Sequence, residues 1–346
     1  MSLYEYLPLL TDEIVAAYDS EASPDDKLRY NAHFEVEKVL GVPANTRHLL
    51  GVSLFFKPRT RHESNSEIIL TEDTLRQPEL YGMNPAFNPW DHYIQPVLDY
   101  SGLVKELAPE VSIRIYLAND LAFLAERLAL HCEVWIMKSS SIASAPGMIW
   151  RHLGLEDHPG LYTQIDADLF PSALDKIAIT TAMDRMGLGS WRAPSILDFR
   201  EGRRFSYRPM AGSMWGASAR LEVRKLLSAF LWASERDLLS CRAKLPFNDR
   251  SFPSHGAAWP DYGIDEFFLM TAIFPRLAEH GILTLLTGKT RSCYLPLDIE
   301  FCNWSCKEST ITYRMVPLML TPGEGVILPH EKGKTASGVG VAERVA

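Results

Sequence analysis

Asp166 and Asp168 stand two residues apart in the stretch Tyr162-Thr163-Gln164-Ile165-Asp166-Ala167-Asp168-Leu169-Phe170, just after residues that read as a short strand. Side chains i and i+2 of an extended segment point to the same side, so the spacing predicts two carboxylates facing one place. Close carboxylates repel each other unless a cation sits between or beside them. A divalent ion, Mg²⁺ or Mn²⁺, is the natural cation, and it usually brings phosphate oxygens with it. No other D-x-D occurs in the chain.

Three further blocks carry residues able to act on such a site. Upstream lies Gly147-Met148-Ile149-Trp150-Arg151-His152-Leu153, and downstream Ala211-Gly212-Ser213-Met214-Trp215-Gly216. The last is Tyr262-Gly263-Ile264-Asp265-Glu266-Phe267-Phe268-Leu269. Each also has a plain structural explanation. Trp150 and Trp215 suit a core, and Arg151 suits a surface pair with Glu156 or Asp157. Gly212 and Gly216 suit turns, and Asp265-Glu266 suits the acidic first turn of a helix. Other chemistries lack their motifs. Gly288-Lys289-Thr290 ends like a phosphate loop, but Leu283 stands where its first glycine is needed. No G-x-S-x-G is present. Cys132, Cys241, Cys293, Cys302 and Cys306 include no CxxC pair, and their odd number fits free thiols in a reducing cytosol.

The elements that must hold these blocks are legible in part. Residues 49–56 read as a buried first strand and 57–61 as a loop. Val111, Ile113, Ile115 and Leu117 alternate with Ser112, Arg114 and Tyr116 in a second strand. Asn119 is placed to cap a helix carrying Leu121, Leu124, Ala125 and Leu128, and 132–137 is another apolar strand. Strand alternating with helix is the pattern of a mainly parallel sheet with helices packed on it. The Asp pair then falls where such sheets bind ligands, beyond the carboxyl end of a strand. Helices are expected over 172–186, stopped by Gly187, from near Ala217 through Leu231, and over 264–279 with Pro275 inside. Strands are expected at 293–301 and 310–320. The organisation expected is a helical or irregular extension over 1–44, one domain over 45–320 and a flexible tail over 321–346.

At 346 residues the chain is long enough to bury a large core. Its net charge of −8 disfavours a general polyanion binder, although Arg200, Arg203, Arg204 and Arg208 form a local basic stretch. The first residues lack the layout of a signal peptide, and no apolar run has the length of a membrane span. A cytoplasmic protein is the expectation.

Taken in order, the four blocks resemble the sugar-nucleotide-dependent glycosyltransferases of the GT-A type. More closely, they resemble a bacterial and phage group of glycosyltransferase-like proteins with W-R-F-L, D-x-D, G-G-M-W-G and Y-G-x-D-Q-x-F-L blocks. Arg114-Ile115-Tyr116 also matches that group's R-x-Y strand, so the likeness spans roughly residues 49–280. The chain departs from the pattern at Ile165 and at Leu169 or Phe170, where the group has arginines, and at Glu266, where it has glutamine.

The resemblance implies a GT-A-like, Rossmann-like sheet and transfer of a sugar from a nucleoside-diphosphate sugar to an acceptor hydroxyl. It implies Mn²⁺ or Mg²⁺ on Asp166 and Asp168. The donor site it implies comprises Arg114, Trp150, Arg151, Asp166, Gly212, Met214, Trp215 and Gly216. Asp265 or Glu266 would be the base for an inverting transfer, with Asp265 favoured as the position that matches the family block. The acceptor stays open among a glycan, a metabolite, a protein and a modified nucleic acid. A non-catalytic sugar-nucleotide-binding module and a metal-dependent nucleotidyltransferase are the competing readings.

Overall fold

The computed structural model describes residues 10–56, 69–81, 88–139, 147–185, 187–192, 212, 215–236, 238–239, 265, 268–280, 282–286, 298–305, 310–317, 319–321 and 325–327. Within them a ten-stranded sheet runs in the order β1-β4-β3-β2-β5-β7-β6-β8-β9-β10. The strands are β1 (Val36–Gly41), β2 (His48–Leu54), β3 (Val111–Leu117), β4 (Glu133–Met137), β5 (Leu161–Gln164), β6 (Ser190–Arg192), β7 (Trp215–Ala217), β8 (Ile282–Leu286), β9 (Asp298–Ser305) and β10 (Thr310–Pro317). A separate pair, β11 (Met319–Thr321) and β12 (Gly325–Ile327), is antiparallel.

Strands β4, β3, β2 and β5 pair in parallel. The reversed strand β7 then joins β5 to β6, and β6 is parallel to β8. From β4 to β8, therefore, every strand but β7 runs in one direction, which is the mostly parallel α/β sheet expected from the strand–helix alternation. The parallel centre is buried on both faces because elements cover both: all seven residues of β3 are buried, and so are six of the seven in β2.

Topology fixes where a ligand can lie. From β2 the chain steps outward to β3 and β4, then returns to the opposite side of β2 as β5. A crevice opens beyond the carboxyl ends of the strands at such a reversal. Here it lies past Leu54 of β2 and Gln164 of β5, and the chain leaves β5 directly into Ile165 and Asp166.

Several elements differ from the sequence expectation. Residues 36–41, expected in an irregular extension, form β1 and pair antiparallel with β4. The helix expected after Asn119 is a 3-10 turn over Asn119–Leu124 followed by one α-turn, Ala125–Leu128. Asn119 does not cap it, because its side-chain amide donates to the Lys138 carbonyl at 2.7 Å. Ala217 ends β7, so the helix expected near it begins at Val223, where the apolar periodicity begins. The expected helix with Pro275 is a wide π turn over Leu269–Ile273 followed by Phe274–Ala278. Proline has no N–H to give an α-helical carbonyl, and here it follows directly on the π turn within the continuous helical stretch 268–278.

Among the described residues the longer helices are α1 (Asp12–Glu21), α2 (Pro24–Asn31), α3 (Gln95–Leu107), α4 (Ala173–Arg185) and α5 (Val223–Glu235). Thr11 and Ser23 cap α1 and α2 by accepting from the amides of Ile14 and Asp26. Both helices pack on α5. Gly187, with φ of +70°, stops α4 close to the expected position.

Beneath β5 runs a buried polar chain. The His48 ring meets the Thr163 hydroxyl at 2.7 Å, Thr163 meets Thr180 at 2.6 Å, and the Trp191 indole N–H donates to Thr180 at 2.7 Å. Burial, then the neighbouring His158 and Arg47, push the His48 pKa down to about 3. An unfolded chain takes up a proton near the ordinary histidine value of ~6.5, while the folded protein stays neutral there. Stability from this group is therefore complete above pH ~6.5 and is lost as pH falls toward 3, at roughly 1.4 kcal/mol per pH unit. Urea midpoints between pH 7 and 4 should show a His48→Gln variant with a correspondingly flatter acid limb. An unchanged slope would mean that this histidine is already charged in the fold.

Candidate active site

Arg151 lies just past the end of β5 and joins two carboxylates. One terminal nitrogen of its guanidinium pairs with the Asp166 carboxylate and the other with that of Asp265. Two of the four sequence blocks thus meet the D-x-D block on one side chain. The planar fork of arginine allows this, since it offers parallel donors to two carboxylates at once. The pair expected with Glu156 or Asp157 goes to Arg224 instead, which binds Asp157 in a bidentate way at 2.6 and 3.0 Å.

The backbone of Arg151 is fixed from below. The Tyr162 hydroxyl donates to the Arg151 carbonyl. A Cβ at Gly51 would fall on the Tyr162 hydroxyl, and one at Gly154 on its ring. Glycine at both positions is what lets a tyrosine of β5 lie flat under the Arg151 segment. Nearby, Gln164 donates its side-chain amide to the Gly212 carbonyl, and its backbone pairs opposite Trp215 of β7. Gly212 and Trp215 therefore lie beside the end of β5.

Asp166 and Asp168 are not alternate residues of one strand. β5 ends at Gln164, Asp166 is extended, and Asp168 lies in a 3-10 turn over Ala167–Ser172. The i, i+2 argument fails for that reason, and the two carboxylates have different partners. Asp166 faces Arg151. Asp168 stands 3.6 Å from the His92 imidazole Nε2, and its side chain is 30% exposed. Mg²⁺-type ions are held by one or two carboxylates together with substrate phosphates, and Asp168 fits that single-carboxylate role. Asp166 does not, because Arg151 already neutralises it. Among the described residues no three His, Cys, Asp or Glu side chains converge on one point.

Four other expected donor contacts are corrected by burial. Trp150 is fully enclosed, with its indole N–H donating to the His33 carbonyl at 2.8 Å. Trp215 is equally enclosed, stacked on His152 and edge-on to Tyr162, so it offers no face to a sugar. Gly216 sits inside β7, where a Cβ would fall on the Trp191 indole and the Thr180 hydroxyl; it is there for packing, not for approach to a ligand. Arg114 lies mid-strand, 4% exposed, paired with Glu133 and lying over the Trp135 ring at 4.0 Å. It belongs to a buried ionic cluster that reaches Asp157 at 3.9 Å. Met214 and Glu266 lie outside the described residues.

Two histidines at this site have no role in the sequence pattern. His152, beside Arg151, is fully buried, with neither ring nitrogen hydrogen-bonded. Burial and then the Arg151 charge hold its pKa well below the ordinary value, so it is neutral. His92 sits in a π-type turn over Trp90–Ile94 that opens α3, and α3 packs against the turn carrying Asp168. Its one sequence signal is the Asn88-Pro89 start before that helix. Asn88 caps it, accepting from the Asp91 amide at 2.8 Å.

The chain matches no protein-family profile, no curated protein and no solved structure. Just past the end of β5 the structure brings together a guanidinium held between two carboxylates and, on the next turn, one separate carboxylate. No helix among the described residues is long and apolar enough to cross a membrane.

Proposed function

We propose that the chain is a metal-dependent glycosyltransferase of GT-A type that moves a sugar from a nucleoside-diphosphate donor to an acceptor hydroxyl. The observation that carries this reading is Arg151 joined to both Asp166 and Asp265 at the end of β5. Residues of three of the four blocks meet there on one side chain.

In such a transfer the bond from the anomeric carbon to the diphosphate breaks, and its electron pair leaves with the phosphate oxygen. The acceptor oxygen bonds to the same carbon and loses its proton. Charge therefore grows on the leaving diphosphate, and catalysis is largely a matter of meeting it with pre-placed positive groups. A divalent ion on Asp168 would supply part of that charge. Arg151 would add to it only on leaving Asp166, the more exposed of the two carboxylates that otherwise take up its charge. This changes the role expected of Asp265. Its carboxylate is 8% exposed and engaged by Arg151, so it positions the arginine and does not take the acceptor's proton. In an inverting transfer that proton goes to Glu266, the other carboxylate of the block.

The test is to incubate the full chain and Mn²⁺ with uridine, guanosine, thymidine and cytidine sugar nucleotides. Slow release of a free nucleoside diphosphate from one of them is expected even without an acceptor. Pyrophosphate release from nucleoside triphosphates would instead favour a nucleotidyltransferase. Binding of a sugar nucleotide with no release would favour a non-catalytic module.

A further inference from the structure

We propose that His92 is a second protein ligand to the divalent ion held by Asp168, and that its nitrogen makes the site favour Mn²⁺-like ions over Mg²⁺. The inference rests on the metal site of the proposed function and adds to it a residue outside all four motifs.

The geometry comes first. The His92 Nε2 and the Asp168 carboxylate oxygen are 3.6 Å apart, beyond a good hydrogen bond. Two metal–ligand bonds of about 2.1 Å that span this gap enclose an angle of roughly 120°. Closing it by about 0.6 Å, to roughly 3.0 Å, brings the angle to the 90° between neighbouring ligands of an octahedral ion. Both side chains have room for that shift, being 45% and 30% exposed.

The local backbone gives independent support. Wide π turns interrupt helices rarely, and they recur at functional sites. This one, Trp90–Ile94, directs His92 toward the 3-10 turn that carries Asp168. The turn is braced on both sides. Asn88 accepts from the Asp91 amide and donates to the Asp91 carboxylate at 2.9 Å, and Arg76 binds the same carboxylate at 2.6 Å while lying over Trp90.

The chemistry then sets the preference. Mg²⁺ is a hard cation that takes oxygen ligands and keeps its waters. Imidazole nitrogen suits transition ions, and Mn²⁺, at the weak end of that series, also accepts the oxygen ligands that Mg²⁺ takes. One histidine and one carboxylate leave the remaining positions to water and to diphosphate oxygens.

Electron paramagnetic resonance of the full chain titrated with MnCl₂ alone reads both the amount bound and any nitrogen coupled to the ion. Wild type is expected to bind Mn²⁺ with an imidazole ¹⁴N coupling. His92→Asn should lose that coupling and weaken Mn²⁺ by at least about tenfold, while competition by MgCl₂ changes little. A thermal melt checks that the half-exposed substitution leaves the fold intact. Should Asp168→Asn abolish Mn²⁺ binding while His92→Asn leaves it unchanged, the histidine is not a ligand and the carboxylate site stands. Should neither variant alter Mn²⁺ binding, the ion is not held here, and the metal role of Asp168 fails with it.

Discussion

Arg151→Met should lose roughly 3–5 kcal/mol of folding stability, the usual result of removing one partner from a buried ion pair, together with measurable donor binding. The two carboxylates left behind are not equivalent. The Asp166 side chain is 32% exposed and can recover water, whereas that of Asp265 is 8% exposed and cannot. The loss is therefore mostly the stranding of Asp265. A second substitution separates the two. Asp265→Asn added to Arg151→Met should restore most of the lost stability, and Asp166→Asn added instead should restore little. Urea midpoints of the three variants measure this. Arg151→Lys should behave as a partial loss, because a point charge on a flexible stem cannot reach both carboxylates in fixed geometry. Equal rescue by the two asparagine substitutions would show that Asp265 is as well solvated as Asp166, and Arg151 would then be a surface pair of little consequence.

The parallel centre of this fold is readable from sequence because its strands obey simple periodicity. Val111 to Leu117 alternate, and His48 to Leu54 and Glu133 to Met137 are short and apolar. Local geometry is what no period encodes. β7 has three residues, Trp215–Ala217, too few for any alternation, so its end reads as a helix start. β1 is an edge strand with mostly exposed side chains, and nothing in its composition demands burial. The site is readable as a set of blocks but not as contacts. Asp166, Arg151 and Asp265 do meet, yet the aromatic and glycine residues of the same blocks face inward. Tryptophan buries a large apolar surface, and Trp150 and Trp215 are used for that. A motif records which residues occur together; it does not say which of them touch the ligand and which hold the others in place. Arg114 makes the same point from the other side. Its charge is spent on Glu133 and Asp157 inside the sheet. His92 is invisible in the sequence because its connection to Asp168 is tertiary, made by a helix packing across the end of β5.

Asp168→Asn tests the remaining carboxylate, and the expected outcome differs in kind from that for Arg151. Asp168 is partly exposed and lies in no buried ionic pair, so its loss should leave stability within about 0.5 kcal/mol of wild type. Turnover should fall steeply. Metal stabilisation of a leaving phosphate contributes several kcal/mol in the transition state, and each 1.36 kcal/mol is tenfold in rate. Metal-dependent release of nucleoside diphosphate should therefore drop by roughly 10²–10³-fold, and raising Mn²⁺ should recover part of it if the variant binds the ion weakly. Asp166→Asn provides the contrast. Its carboxylate is occupied by Arg151, so the substitution should disturb donor affinity more than the dependence on Mn²⁺. Should the two variants exchange these signatures, Asp166 is the metal ligand and must release Arg151 when the ion enters. Should neither affect release, the leaving diphosphate is neutralised by groups outside this pair.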